Sequence, residues 1–581
     1  MDANIPAQMR FRGIGEATAV VLGAVFLACV FTYPYIIQFN NAGRLDTNDG
    51  RWSIWVVSWV AHALTTDPRQ LFNANIFFPH TNALAFSEGN FVAGAIGAPA
   101  WALTKNPYTT HNFVFLFAFT QSFVATYYLI RRLTGDRRAA IIAGIMYAYC
   151  PFVFVRQAHI QLLMIGFLPW VMLAWHRFLD RTTSVRAIEL GVVMCLTGLA
   201  CAYYGIFAGG MIAFASIWFA FTRRRWKDKQ YVIGVAVAAA TCVGLIAPFF
   251  IPYLQMQEST GFQRALSGQY SANVGAWLIS SAWAHRWWAP YLSAPSEALF
   301  PGILAIVLGI WGAILVLRSS EDSSTGVLRT IPHERRTIVE PSQNDRRTPL
   351  DRDVAIFHVG LALFTFWLTF GPKAGLYTLL YHTVPVFSFL RAPSRAGIVV
   401  TLCLVVLAAP ALVVLMRRRA VNTAFAILLV LAVADLYRAP LRMREAPPLP
   451  AVYRTLASLP KAPLVELPYW ATSIEYHRHA EYMLASTFHW QPLVNGYSDH
   501  IPQDFRDQAV ALARFPSREA FAILEPLQAR YAVFHLDLMS PDDRDDLIRR
   551  LDVEYLGYLR PIEKDGSVWL YEIVNWPRMT P

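Results

Sequence analysis

Two aspartates lie close together in the run 45–52, LDTNDGRW, just after the first long apolar stretch of the chain. If that stretch crosses a bilayer, Asp46 and Asp49 lie at the membrane edge. A carboxylate there can take the proton of an acceptor hydroxyl, which is general-base chemistry. Either aspartate could be the base while the other orients it or helps to bind one divalent cation through oxygen. The run would equally suit a solvated turn, because Asp and Asn favour turns.

The composition is that of a membrane protein. The 581 residues are 55% hydrophobic and 15% charged, with a mean hydropathy of +0.36, which exceeds what soluble globular chains show. The net charge of +11 comes largely from arginines clustered beside apolar stretches, as in cytoplasmic loops, and this argues against nucleic-acid binding. The six cysteines lie in apolar stretches without metal-ligand spacing, so we expect neither disulfides nor a zinc site.

About eleven stretches are long and apolar enough to predict an α-helical polytopic membrane protein. Threading them in order places the five arginine clusters that separate predicted spans, in 131–138, 177–186, 223–229, 318–352 and 417–419, on one side. This predicts a cytoplasmic N-terminus, an outer C-terminus and a retained first span. It depends on a break between spans five and six at Tyr203–Gly205, because merging these spans would move every later loop to the other side. The stretches are 16–36, 111–130, 139–155, 160–176, 187–203, 205–221, 231–253, 299–317, 354–371, 396–416 and 421–437.

The predicted outer portions are large. Residues 37–110 and 254–298 form long outer loops of a membrane module that spans 1–437. Loops of such length are usually functional or carry structure of their own. Within the first loop, Trp52–Leu64 has helical apolar spacing and predicts an amphipathic helix in the membrane interface, and 90–104 resembles it.

The tail, residues 438–581, follows a proline-rich linker and predicts a small α/β domain outside the membrane. Strand-like runs alternate there with helical ones. The loop 318–353 balances acids against bases and is expected to be disordered. The expected strands are Pro463–Leu467, Tyr531–Leu536 and Ser567–Ile573, and the expected helices are Gln503–Arg514 and Arg518–Leu527.

The first outer loop and several later segments contain a characteristic pattern of residues. The pattern comprises Asp49, Trp55, His62–Leu64, Asp67–Pro68, Leu71–Phe77, Pro79, Ser87–Glu88, Asn106–Pro107, Arg156–Gln161, Gly371–Pro372 and Leu390–Arg395. It resembles the pattern of the multispanning GT-C glycosyltransferases, and the resemblance extends over about residues 15–437. The tail, with Glu466–Pro468 and His489–Tyr497, is similar to tails of bacterial members of that superfamily.

The resemblance implies an enzyme that moves a sugar from a polyprenyl-phosphate donor to an acceptor hydroxyl on the outer face of a bacterial inner membrane, by direct displacement with inversion. Asp49 is then the expected general base, with Asp46 as the alternative. Arg391 and Arg395, spaced to share one helical face, are expected to hold the phosphate. We expect Asp49, His159 and Arg391 to line one hollow. The expected substrate-binding residues are Glu88, Arg156, His159, Gln161, Arg391 and Arg395.

Other interpretations remain open at this point. A transporter or lipid flippase would also be polytopic, although no internal repeat is evident. A non-catalytic scaffold with a glycan-binding outer domain is a third possibility. Glu88 could simply cap a helix, His159 could pack at the interface, and the two arginines could anchor the bilayer surface. Neither the sugar nor the acceptor can be read from the sequence.

Overall fold

The computed structural model describes residues 7–262, 264–292, 297–318, 350–417 and 421–577, with side chains from residue 14 onward. Most of the loop expected to be disordered, 318–353, lies outside these ranges. The helices are α1 Ala7–Phe31, α2 Asn48–Thr66, α3 Phe91–Thr104, α4 Pro107–Thr134, α5 Arg137–Ala148, α6 Pro151–Phe154, α7 Ile160–Leu163, α8 Phe167–Asp180, α9 Ser184–Ala200, α10 Ala202–Thr222, α11 Lys229–Thr260, α12 Ile303–Arg318, α13 Arg352–Thr369, α14 Leu376–Thr383, α15 Gly397–Met416, α16 Val421–Leu436, α17 Ala451–Ser458, α18 Ala480–Ser486, α19 Gln503–Leu512, α20 Arg518–Leu524 and α21 Pro541–Arg549.

Each of the eleven predicted stretches contains helix, but the number eleven is not confirmed for membrane spans. Among the described residues, six segments are long and apolar enough to cross a bilayer, and three further apolar helices are shorter. Two predicted spans are interrupted, since α5 is followed by the short α6 and a break separates α7 from α8. The six segments are Ile14–Phe31, Pro107–Thr134, Ala202–Thr222, Lys229–Thr260, Arg352–Thr369 and Pro393–Met416.

The break between α9 and α10 lies at Cys201, two residues before the predicted position. Cys201 is extended, with φ −158° and ψ 121°, and so ends one helix and begins the next. The two helices then pack backbone to backbone, because a Cβ on Gly205 would lie 2.6 Å from the Cα of Gly198. Small residues allow such close helix packing. The separation of these two helices is confirmed.

Helix α2 confirms the predicted helix in the first outer loop, but the predicted interfacial position of its tryptophans is wrong. Trp55 and Trp59 are 1% and 6% exposed. The indole N–H of Trp59 donates to the carbonyl of Leu71 at 2.9 Å, and its ring meets Trp490 edge to face. These two side chains pack against other parts of the protein, including Trp490 of the C-terminal region. This packing removes nearly all of their apolar area from water, which a position in the lipid interface would not do.

The strands are β1 Ala42–Gly43, β2 Arg444–Glu445, β3 Leu464–Leu467, β4 Tyr531–His535, β5 Leu559–Asp565 and β6 Val568–Ile573. The last four form a sheet in the C-terminal region, in the order β3-β4-β6-β5. The strands β3 and β4 are parallel, and the other two pairs are antiparallel. The three predicted strands and both predicted helices are present, whereas α17, α18 and α21 were not predicted. The strand β5 was missed because its exposed edge residues lack an apolar alternation.

The first outer loop and the tail share one hydrophobic core. Trp55 and Phe77 from the loop belong to the same buried cluster as Val465 and Phe534 from the sheet. Phe77 also donates its backbone N–H to the carbonyl of Asn495 at 3.0 Å. The strand β1, which lies just before the two aspartates, pairs with β2, which lies near the start of the tail. The tail is therefore fixed on the outer loop that carries the two aspartates.

Candidate functional site

A tight turn places Asp49 at the start of α2. Thr47 caps the helix by accepting the backbone N–H of Gly50 at 3.1 Å. A Cβ at position 50 would lie 2.0 Å from the carbonyl oxygen of Arg44, so the turn requires glycine there. The Asp49 carboxylate is 53% exposed and can therefore be reached by a substrate.

The neighbouring aspartate, Asp46, is paired with an arginine. Arg44 donates two hydrogen bonds to Asp46, from Nε to Oδ1 at 2.8 Å and from Nη2 to Oδ2 at 3.2 Å. Burial alone would raise the pKa of Asp46, but the hydrogen bonds and charge of Arg44 bring that pKa below its ordinary value. A bidentate arginine pair occupies the oxygens that a proton or a cation would need. Asp49 is thus the more available carboxylate of the two.

His159 is brought to Asp49 through Ser53. Ser53 follows Asp49 by four residues and lies on the same face of α2. Its Oγ accepts the backbone N–H of Ile160 at 3.3 Å and lies 3.2 Å from Nε2 of His111. His159 Nε2 is then 3.6 Å from Asp49 Oδ2. That distance is an electrostatic contact and is longer than a hydrogen bond.

Three arginines lie close enough to His159 for their charges to act on it. Burial lowers the pKa of His159, Asp49 counteracts this, and the charges of Arg395, Arg156 and Arg391 lower the pKa further. A neutral imidazole is therefore favoured near neutral pH. Asp49, His159 and both predicted phosphate-binding arginines thus belong to one electrostatic cluster.

The two arginines do not share a helical face as predicted. Arg391 lies in irregular chain, and Arg395 lies in a 3-10 turn that precedes α15. Both contact Tyr203, but through different groups. The Tyr203 hydroxyl accepts the backbone N–H of Arg391 at 3.0 Å, while the Arg391 guanidinium carbon lies 5.7 Å from the ring centre of Tyr270. The guanidinium carbon of Arg395 lies 4.3 Å from the centre of the Tyr203 ring.

Arg391 and Arg395 differ in their counter-ions. Arg391 Nη1 lies 3.2 Å from Oδ1 of Asp499. Within the described ranges, Arg395 forms no ion pair; its guanidinium contacts the Tyr203 ring, and its charge acts on the buried Glu88. A half-buried guanidinium that is not bound directly to a carboxylate is available for an anionic ligand.

Asp499 joins the tail to this cluster, and the sequence analysis did not identify it. Arg264 Nη2 donates to its Oδ2 at 2.9 Å, and Ser87 Oγ donates to the same oxygen at 3.1 Å. Burial would raise the pKa of Asp499, but the two arginines hold that pKa below its ordinary value. The sequence signal is the polar run 495–500, NGYSDH, which does not stand out because its flanks are also rich in polar residues.

Arg156 is held by other side chains, whereas Gln161 is only buried. Arg156 is 7% exposed, and its Nη2 lies 2.7 Å from Oε2 of Glu297. Its guanidinium also stacks 3.8 Å from the ring centre of Phe152. Gln161 is buried in α7, where its Oε1 has no hydrogen-bond partner in the structure. Arg156 therefore contributes charge to the cluster rather than a free guanidinium.

Glu88 caps a helix from a distant loop. Its Oε1 accepts the backbone N–H of Ala202, the first residue of α10, at 2.5 Å, and Cys201 supplies no side-chain cap there. Burial raises the pKa of Glu88, while the Ala202 N–H and the charge of Arg395 oppose that rise. The carboxylate stabilises the helix N-terminus directly before Tyr203.

No group of three or more His, Cys, Asp or Glu side chains that could hold a metal ion occurs in the described part of the chain. The candidate site therefore consists of the exposed carboxylate Asp49, the imidazole of His159 and the cations Arg391 and Arg395. This arrangement can accept a proton at one position and stabilise negative charge at another.

Replacing Asp499 by Asn is expected to destabilise the contact between the tail and the cluster by about 2 kcal/mol, because two arginines lose their charged acceptor. The pKa of Asp499 is lower in the folded state than in the unfolded chain. The stability that Asp499 adds relative to asparagine is therefore complete above the ordinary aspartate pKa, and it is lost as the pH falls through the folded-state pKa. Thermal unfolding in detergent at neutral and acidic pH measures this. Asp507→Asn, at an exposed position on α19, is the control; an equal loss in both variants would contradict the expectation.

Comparison with known proteins supports the fold. No family model matches the sequence, and no curated protein matches it. Among solved structures, the arabinofuranosyltransferase AftD from Mycobacteria is similar over 97% of this chain and 42% of its own, with a TM-score of 0.52 and 15% identity. The chain thus spans less than half the length of AftD.

Two further solved structures are similar at lower scores. The oligosaccharyltransferase AglB from Archaeoglobus fulgidus, in complex with an inhibitory peptide and a dolichol-phosphate, covers 90% of this chain and 69% of its own at 13% identity and a TM-score of 0.40. ArnT from Cupriavidus metallidurans, bound to undecaprenyl phosphate, covers 97% and 98% at 14% identity and a TM-score of 0.41.

The fold defines the class of the molecule. The chain is a mostly helical, multi-pass membrane protein with the fold of the GT-C glycosyltransferases and a small C-terminal sheet. The fold expected from the sequence is confirmed, and the resemblance noted there agrees with it.

Proposed function

We propose that the protein is a glycosyltransferase that moves a sugar from a polyprenyl-phosphate donor to an acceptor hydroxyl. The observation that carries the proposal is the contact of 3.6 Å between Asp49 and His159, together with Arg395, whose charge acts on His159 and which forms no ion pair among the described residues. A base and a cation not bound to a carboxylate are the two groups that such a transfer needs. The fold shared with AftD supports a transferase of this general type.

In this proposal Asp49 accepts the proton, and the two arginines stabilise the leaving phosphate. The acceptor oxygen attacks the anomeric carbon while its proton passes to the carboxylate of Asp49. The bond from that carbon to the phosphate oxygen breaks, and the phosphate leaves with the electron pair. Arg395 and Arg391 stabilise the developing charge on the phosphate. Displacement in one step inverts the anomeric carbon.

The remaining site residues take supporting roles in this proposal. His159, favoured in its neutral form, orients Asp49 or accepts a hydrogen bond from the substrate. Glu88 holds the start of α10 and thereby Tyr203, which both arginines contact. Arg156 adds positive charge near His159, and a substrate-binding role for Gln161 stays a prediction. Asp46 keeps Arg44 in place, and a role for it as an alternative base stays a prediction.

The orientation in the membrane is also part of the proposal. We place the site end of the helices and the module 438–581 outside the cytoplasm of a bacterial cell, in the inner membrane. The arginine-rich end of α4, where Arg131 contacts Glu16 of α1, then lies on the cytoplasmic side. The outer position agrees with a lipid-linked donor, because its phosphate lies at the bilayer surface.

A reconstituted assay tests the function. The full chain in lipid nanodiscs is supplied with a mixture of polyprenyl-phosphate sugars and hydroxyl acceptors, and free polyprenyl phosphate is measured by mass spectrometry. We expect release that depends on an acceptor. A transporter or a scaffold would release none. A protein that binds a lipid-linked sugar and releases no polyprenyl phosphate with any acceptor would contradict the proposal.

A further inference from the structure

A second cluster of cations lies at the same end of the membrane helices. Two arginines contact Trp283, with the guanidinium carbon of Arg286 4.2 Å and that of Arg438 4.3 Å from the ring centre. Arg442 is close enough for its charge to act on Arg438. We refer to Trp283, Arg286, Arg438 and Arg442 as the arginine patch.

The arginine patch has no counter-ion in the parts of the chain that the structure describes. None of its three arginines forms an ion pair or a side-chain hydrogen bond there. Burial, followed by the charges of Arg286 and Arg442, lowers the pKa of Arg438. Holding like charges together costs free energy unless an anion compensates for them. The patch therefore favours a negatively charged ligand.

The patch is preformed. The backbone N–H of Trp283 donates to the carbonyl of Tyr437 at 3.0 Å, and its indole N–H donates to the carbonyl of Ala439 at 2.8 Å. His285, which is 1% exposed, is held by Asp435 at 2.8 Å between Nε2 and Oδ1. These bonds fix the loop to the end of α16, so the cations are in position before a ligand arrives.

Its surroundings indicate a membrane surface. The patch lies where α16 ends, next to the end of α1, since the ring of Phe31 meets that of Tyr437 at 5.8 Å. Trp287 and Tyr291, which follow Trp283 in the chain, are 70% and 84% exposed. Exposed Trp and Tyr at the end of a membrane helix are typical of the layer where lipid headgroups lie.

We propose that the arginine patch binds the phosphate group of an anionic membrane lipid, with Trp287 and Tyr291 inserted beside it at the headgroup level. Planar guanidiniums offer several N–H donors that match the oxygens of a phosphate group. The patch shares no residue with the cluster around Asp49. It would therefore anchor the outer loop to the bilayer independently of the donor site.

Native mass spectrometry of the full chain tests the proposal. The protein is titrated with phosphatidylglycerol or, separately, with zwitterionic phosphatidylcholine. We expect preferential retention of phosphatidylglycerol by the wild type. The double variant Arg286→Gln/Arg442→Gln, which changes exposed side chains only, is expected to bind it about 30-fold more weakly, the effect of removing two cations near a lipid surface.

Arg478→Gln is the matched control, because Arg478 lies 4.4 Å over Trp470 in the C-terminal region as a single cation on one ring. Its lipid retention should equal that of the wild type. Unchanged binding in the double variant, or an equal loss in Arg478→Gln, would overturn the proposal. Full displacement of the lipid by millimolar inorganic phosphate would also overturn it, since the site would then be one for free phosphate.

Discussion

Sugar transfer by the variant Asp49→Asn is expected to be slower than wild-type transfer by about 10³-fold, the contribution of a positioned general base. Asparagine has nearly the same shape as aspartate and can still contact His159, 3.6 Å away, but it cannot accept a proton. The loss should appear in the rate of polyprenyl-phosphate release at saturating donor. Binding of the donor should change little, because Asp49 is assigned to the acceptor hydroxyl.

Two matched variants make this result specific. Asp67→Asn removes another exposed carboxylate of the first outer loop, and it should retain full activity because asparagine also caps the turn that Asp67 begins. Asp46→Asn breaks the bidentate pair with Arg44, so a moderate loss is expected through the position of the turn. If Asp46→Asn were inactive and Asp49→Asn active, the assignment of the base would be wrong.

Arg395→Gln is expected to weaken binding of polyprenyl phosphate by about 10- to 100-fold, the range for loss of one charge-assisted hydrogen bond. The physical reason is that Arg395 contacts the Tyr203 ring and forms no ion pair with a carboxylate among the described residues. Its charge is therefore available to the phosphate at little cost in lost contacts. Titration of nanodisc-embedded protein with the lipid phosphate measures the change.

The matched control for Arg395 is Arg69→Gln, an exposed arginine of the first outer loop, which should bind the lipid phosphate like the wild type. Removal of Arg395 should also raise the pKa of His159, since the charge of Arg395 lowers it. Equal affinity in Arg395→Gln and the wild type would place the phosphate elsewhere.

The helical part of the fold could be predicted because its signal is local. Runs of about 20 apolar residues with flanking arginines identify membrane helices without any knowledge of their packing. The position of α2 could not be predicted in this way. Trp55 and Trp59 have the spacing of an interfacial helix, but the side chains that cover them, such as Trp490, come from the tail more than 400 residues later. A pattern within one helix does not identify its partner.

The candidate site was predictable only in part, for a similar reason. Asp49 and His159 could be proposed from the residues around them, and the structure brings them together through Ser53. The ion pairs that decide which arginines are available to a ligand join residues far apart in the sequence. Asp499 contacts Arg391, and Glu297 contacts Arg156, across more than 100 residues of sequence in each case. No local spacing reports such pairs, so the difference between Arg156 and Arg395 appears only in three dimensions.

A structure of the full chain in a nanodisc with bound polyprenyl phosphate tests directly whether Arg395 binds the donor phosphate next to Asp49. We expect phosphate oxygens about 2.7–2.9 Å from the guanidinium nitrogens of Arg395. We also expect the carboxylate of Asp49 to face the adjacent space where an anomeric carbon would lie, within a few ångströms of the phosphate. A phosphate bound at another face of the helices, with Asp49 directed only to bulk solvent, would contradict the account.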